Sequence, residues 1–190
     1  MIHNKLRLAV AITGASGSFI AQRLLQAIKT NAHQVDRCDV VVSATARQVV
    51  EFEVGNIDVT GTPFKLFKPN DFAAPMASGS AIYDAMVICP CSMGTLGRIA
   101  NGVSNDLITR AADVFLKERR PLILVVRETP YNLIHIRNME QITLTGGIVF
   151  PASPSFYHHP ASIEQLYEPM IERILKMLGF QLNTREWGIG

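Results

Sequence analysis

The chain has 190 residues, 48% hydrophobic and 18% charged side chains, and a net charge of +2 at pH 7, so it can bury a full core without disulfide or metal staples. That small positive charge, with no run of Lys and Arg, argues against a nucleic-acid surface. No stretch reaches the roughly 18 apolar residues of a membrane span, and Met1 to Lys5 is too short and polar for a signal peptide. Cys38, Cys89 and Cys91 are odd in number and lack disulfide spacing, which fits the cytoplasm, and one domain over residues 1–190 is expected.

Leu6 to Thr13, L-R-L-A-V-A-I-T, reads as a strand that passes through Gly14-Ala15-Ser16-Gly17 into a helix from Phe19 to Lys29. The glycines allow close backbone approach, and Ser16 puts a hydroxyl at the helix start, where it can cap the helix or touch a ligand. A dinucleotide fingerprint would read G-x-G-x-x-G. The spacing here is G-x-x-G, and the second strand, Asp39 to Val42, ends in Ser43 in place of an acidic ribose ligand, so a mononucleotide is favoured over NAD. A plain turn without a ligand is an equal alternative on this motif alone. A helix from Ala44 closes on Glu51 and Glu53, where the helix dipole disfavours anions, so a carboxylate there is solvated or has work to do. Gly55 to Pro63 is rich in turn formers and Lys65 to Phe67 is a short strand. Pro69 to Ser80 has no helical or alternating period; its Ser78, Gly79 and Ser80 suit a ligand-facing loop as well as an ordinary surface one.

Met86 to Thr95, M-V-I-C-P-C-S-M-G-T, organises the chain. An apolar run stops at Pro90 and turns into Ser, Gly and Thr, as a buried strand opening into a helix would. The first amides of such a helix lack intrahelical partners, and at a strand's carboxyl end they form an anion site. Cys89-Pro90-Cys91 has no second cysteine pair or matching His spacing, so buried thiols are expected and not a metal. The helix from Asp106 to Arg119 carries Arg110 and Lys117 on one face with Asp113 between them, which makes either a salt-bridge ladder or a cationic face beside a phosphate. Pro121 to Val126 is continuously apolar, as a central parallel strand should be, and Arg127-Glu128 follows at its carboxyl end. Asn132 to Thr145 has helical spacing, Gly146-Gly147 stops it, and Ile148 to Phe150 is another short strand. The loop from Pro151 holds Tyr157 and two adjacent histidines that point apart and favour solvent over joint ligation. Ser162 with Gln165 forms a capping-box pattern for a last helix that runs to about Leu178 and carries Arg173, and the tail from Gly179 contains Trp187. The alternation predicts an α/β protein: a doubly wound, Rossmann-like or flavodoxin-type, mainly parallel sheet with one ligand crevice. The residues alone reach a mononucleotide or phosphorylated ligand and no reaction.

T-G-A-S-G at Thr13 to Gly17, A-S-G-S at Ala77 to Ser80, I-C-P-C-S-M-G-T at Ile88 to Thr95, R-A-A-D-V-F-L-K-E-R-R-P at Arg110 to Pro121, R-E-T-P at Arg127 to Pro130 and P-S-F-Y-H-H-P at Pro154 to Pro160 together resemble the UbiX-type flavin prenyltransferase family. The resemblance implies a metal-independent enzyme that joins a dimethylallyl group from dimethylallyl monophosphate to N5 and C6 of reduced FMN. The product, prenylated FMN, would serve a UbiD-type decarboxylase, and the enzyme would be a homo-oligomer, commonly a dodecamer, with its site partly shared between subunits. It further implies FMN contacts from Gly14, Ala15, Ser16, Ser43, Ser92, Met93, Gly94, Thr95 and Arg127. Lys117, Tyr157 and Arg173, with Arg110 and Glu128 close by, would hold the allyl phosphate and neutralise its charge as it leaves. Glu53 and Ser16 would relay the flavin N5 proton, with Glu128 assisting later transfers, and Trp187 matches the family's C-terminal tryptophan. Two alternatives are a flavin-dependent cysteine decarboxylase of the same fold group, for which a P-A-S-A-N-T-like segment is missing, and a non-catalytic FMN-binding protein, which would leave the second set of cations without a role.

Overall fold

In a computed structural model that describes residues 5–183, the apolar runs become adjacent strands of one sheet. The strands are β1 (Leu6–Ile12), β2 (Val35–Val42), β3 (Phe64–Phe67), β4 (Ala85–Cys91), β5 (Leu122–Val126) and β6 (Ile148–Pro151). They lie in the order β3-β2-β1-β4-β5-β6, every pair parallel. Parallel neighbours need crossovers, and these are the helices α1 (Ser18–Thr30), α2 (Ala44–Val54), α3 (Met93–Ala100), α4 (Leu107–Lys117) and α5 (Leu133–Leu144), with α6 (Ile163–Met177) last. Both faces of the sheet are covered, so the central strands are apolar on both sides. Leu8, Val10, Val87 and Val125 face α1 and α6, whereas Ala9, Ala11, Ile88 and Leu124 face α3 and α4. The order reverses between β1 and β4, and a crevice outside the carboxyl ends of those strands follows. Trp187 lies outside the described residues.

Three elements differ from expectation. β2 begins at Val35, well before Asp39. Charged Arg37 and Asp39 disguise its start, but Asp39 is fully buried and is satisfied by the Arg37 guanidinium and the Tyr83 hydroxyl. β4 continues through Pro90 to Cys91. The proline is tolerated because pairing with β5 is irregular between Ile88 and Cys91. The segment from Pro69 to Ser80, expected to suit a ligand, contains a 3-10 turn at Pro75–Ala77 and ends away from this chain's crevice. It must return the chain from the carboxyl end of β3 to the amino end of β4. There Arg110 donates to the Ala77 carbonyl and Arg120 to the carbonyls of Gly79 and Ala81.

Candidate functional site

Parallel strands deliver their following residues to one edge, so Thr13 to Gly17 after β1, Ser43 after β2, Ser92 after β4 and Arg127 after β5 all reach the crevice. Two glycines let the first loop pass tightly. A Cβ on Gly14 would come within 2.7 Å of Thr45 Cβ, and Gly17 has a φ of 118°, which side chains strongly disfavour.

The amino end of α1 is already occupied by a carboxylate. Glu53 Oε2 accepts the amides of Gly17 at 3.0 Å and Ser18 at 2.7 Å, and the Ser16 hydroxyl donates to the same group. Partial burial pulls the Glu53 pKa up, but the bonds from Ser16, Gly17 and Ser18 outweigh it and hold the pKa below the ordinary carboxylate value. Glu53 does fall in the last turn of α2, as expected. Its charge, however, sits at the positive end of α1, where an anion is favoured.

The amino ends of α2 and α3 are different. Ser43 Oγ accepts the Ala46 amide at 3.1 Å and Ser92 Oγ accepts the Thr95 amide at 3.3 Å. Each cap thus takes an amide one turn in, and the amides of Met93 and Gly94 have no intrahelical partner. A Cβ built on Gly94 meets nothing within 4 Å, so space lies open in front of this turn. Beside Glu53, a cleft of about 440 Å³ is lined by Ser16, Gly17 and Arg127 on its polar side and by Phe19, Ile20 and Tyr167 on its apolar side. The Phe19 and Tyr167 rings meet edge to face at 6.0 Å. An aromatic wall, an ionised carboxylate and an open anion turn suit a ligand with a flat ring system and a phosphate, as FMN has. Sequence reasoning missed Phe19, Ile20 and Tyr167. An aromatic residue at the second position of the helix that follows the glycine turn, where a solvated helix start would be polar, was the available signal.

Other predicted site residues lie apart. Arg110 pairs with Asp113 at 3.1 Å, one rung of the expected ladder, but Lys117 pairs with Glu118 instead. Lys117 ends α4 beside the amino end of β5. The crevice is therefore about 20 Å away within one chain, the length of a seven-residue strand such as β4. Tyr157 is 82% exposed in the loop before α6. Arg173 is exposed on α6 and makes no ion pair among the described residues. Glu128 is half-buried next to Arg127 and accepts the Thr129 amide at 3.0 Å. Burial pushes the Cys91 thiol up to about 12 and raises that of Cys89 as well, which leaves both unreactive at neutral pH. Among the described residues no group of three or more His, Cys, Asp and Glu is arranged to hold a metal ion, and no helix is long and apolar enough to cross a membrane.

Residues 2–174 match the family model described as Flavoprotein. The chain is 41% identical to flavin prenyltransferase UbiX of Pseudomonas aeruginosa over 96% of this chain and 94% of that one. The chain belongs to the UbiX-type flavin prenyltransferase family. A UbiX of Methanothermobacter thermautotrophicus is 40% identical, with 94% and 93% covered. Among solved structures, AnUbiX (PadA1) in complex with FMN and dimethylallyl pyrophosphate superposes with a TM-score of 0.86 at 38% identity, covering 96% of this chain and all of that one. A dodecameric FMN-dependent UbiX-like decarboxylase from Escherichia coli O157:H7 gives 0.88 at 35% identity, with 96% and 99% covered. The peptidyl-cysteine decarboxylase EpiD shares the UbiX-family fold with a TM-score of 0.61, but only 15% identity.

Proposed function

We propose that this family member transfers a dimethylallyl group from dimethylallyl monophosphate to reduced FMN. The observation that carries this reading is the pairing of two unlike anion positions at one sheet edge. At α1 the positive helix end holds a resident carboxylate, Glu53, with the Ser16 hydroxyl on it, whereas at α3 the amides of Met93 and Gly94 await a ligand. In this reading the α3 turn, with Ser43 and Arg127, binds the FMN phosphate, and Gly14 to Ser16 line the flavin. Bound reduced FMN supplies the nucleophilic N5 and the neighbouring C6. Glu53, ionised at neutral pH, takes up a proton through Ser16 Oγ, and the apolar side of the cleft excludes water.

Lys117, Arg173 and Tyr157, with Arg110 nearby, neutralise the departing allyl phosphate, and Glu128 assists later proton transfers. Since Lys117 sits at the far edge of its own sheet, a second copy of the chain supplies it, within a closed homo-oligomer that we take to be a dodecamer. We assign the enzyme to the cytoplasm and its product to a UbiD-type decarboxylase. The test is anaerobic incubation with reduced FMN and dimethylallyl monophosphate, followed by mass spectrometry of the extracted flavin. A flavin heavier by one five-carbon prenyl unit is expected; unmodified FMN from folded protein refutes the reading.

A further inference from the structure

The crevice has two halves, the Ser16 and Glu53 pair beyond β1 and the α3 amides beyond β4, and one buried hydroxyl joins them. Thr13 is 2% exposed. Its Oγ1 donates to the Pro90 carbonyl at 2.8 Å and accepts the Ser92 amide at 2.8 Å. A second bond from the Thr13 amide reaches the same Pro90 carbonyl at 3.2 Å. This carbonyl lies where β4 loses regular pairing with β5, so the end of β4 is tied to the end of β1 instead. Ser92 is the N-cap of α3, and its hydroxyl donates to Thr95 Oγ1 at 3.1 Å. Arg98 holds that same Thr95 oxygen from the far side at 3.2 Å while pairing with Asp106 at 2.8 Å. Ser92 Oγ is thus fixed by the helix it caps, and its backbone is fixed by Thr13.

We propose that Thr13 is a positioning residue. Through the Ser92 amide it sets the distance between the α3 anion turn and the Ser16 and Glu53 pair, and so aligns a phosphorylated flavin across both halves. The proposal rests on the flavin reading given above. Without the hydroxyl, the Ser92 amide is left half-buried and unpaired, and α3 can shift away from β1.

Thr13→Val keeps the shape and removes the hydroxyl, whereas Thr13→Ser keeps the hydroxyl. Dissociation constants for FMN and for riboflavin, which lacks the phosphate, separate positioning from general stability. Thr13→Val is expected to weaken FMN about tenfold, the scale of one lost hydrogen bond, with riboflavin changed less than about twofold. Thr13→Ser is expected to stay within about twofold of wild type for both. Equal losses for FMN and riboflavin, or an unchanged FMN constant in Thr13→Val, overturn the proposal, as does a tenfold FMN loss in Thr13→Ser. Hydrogen exchange at the Ser92 amide of the wild-type protein is a test that needs no variant. Strong protection is expected, and exchange at the rate of an open loop overturns the clamp. If wild type binds neither flavin, the flavin reading fails while the exchange measurement still judges Thr13.

Discussion

Glu53→Gln separates a structural role for this carboxylate from a chemical one, because the two predict effects of different size. The carboxylate accepts two amides of the first turn of α1. A charge in that place is worth roughly 0.3–1 kcal/mol when solvent-accessible, and Gln retains one acceptor oxygen. In a chain of 190 residues each kcal/mol moves Tm by roughly 2–4 °C, so the variant should melt only about 1–4 °C lower. Loss of general-base help, by contrast, costs about 10² or more in rate, or about 2.7 kcal/mol of barrier. Single-turnover prenylation should fall by that factor while FMN affinity holds. The pH dependence adds a check on the physical origin of the small stability effect. The folded pKa is depressed, so the stabilisation is fully present above the unfolded value of about 4.3 and is lost as pH falls through the lower folded value. The Tm gap between wild type and Glu53→Gln should be constant at neutral pH and close in acid. Wild-type transfer rates in the variant, or a gap that widens on acidification, would refute the reasoning.

Two further predictions address the scaffold and the assembly. Asp39→Asn leaves the buried Tyr83 hydroxyl and the one-third-exposed Arg37 guanidinium without their common anion. Because Arg37 can turn to water, the cost should fall near the lower end of the 3–5 kcal/mol for breaking a buried pair, lowering Tm by about 6–12 °C; a calorimetric change below 2 °C would show that the pair is dispensable. Lys117→Ala and Glu53→Gln should each inactivate a homo-oligomer. Co-assembled at equal ratio they should recover about a quarter of wild-type prenylation, since one in four shared sites draws both intact residues from different subunits; verified mixed oligomers without recovery would place Lys117 and Glu53 in the same chain's site.

The parts of the fold that were legible are those in which a local pattern and its burial agree. The apolar run of β5 and the Ser162 to Gln165 cap both announce themselves, and the structure extends or trims their neighbours by a residue or two. β2 was half hidden because its first residues are polar for a reason the chain states only in three dimensions. Asp39 is neutralised by Arg37, two residues back on its own strand, and accepts a hydrogen bond from Tyr83, which arrives from a loop more than forty residues on. Pro90 hid the end of β4 in the same way. Its place in a strand is acceptable because the ladder to β5 is irregular there, and its carbonyl is taken by Thr13, just past the end of β1.

The candidate site shows a sharper version of this limit. Ser43, Ser92 and Arg127 could be found because each directly follows a strand, and parallel strands send such residues to one edge. Lys117 and Arg173 could be ranked by charge but not located, since a helix face gives no sign of which subunit it serves. Glu53 was singled out for the wrong physical reason. From the sequence its carboxylate opposes the dipole of α2, the helix that carries it, and so looks costly. In the fold it caps α1, whose N-cap glycine has no side chain for the task. Gly17 is needed for its backbone conformation and therefore cannot cap. The cap has to come from another element, and the residue supplying it is thereby held, ionised, against Ser16. One backbone constraint in the glycine loop thus fixes both the conformation of the turn and the placement of the carboxylate proposed as the base.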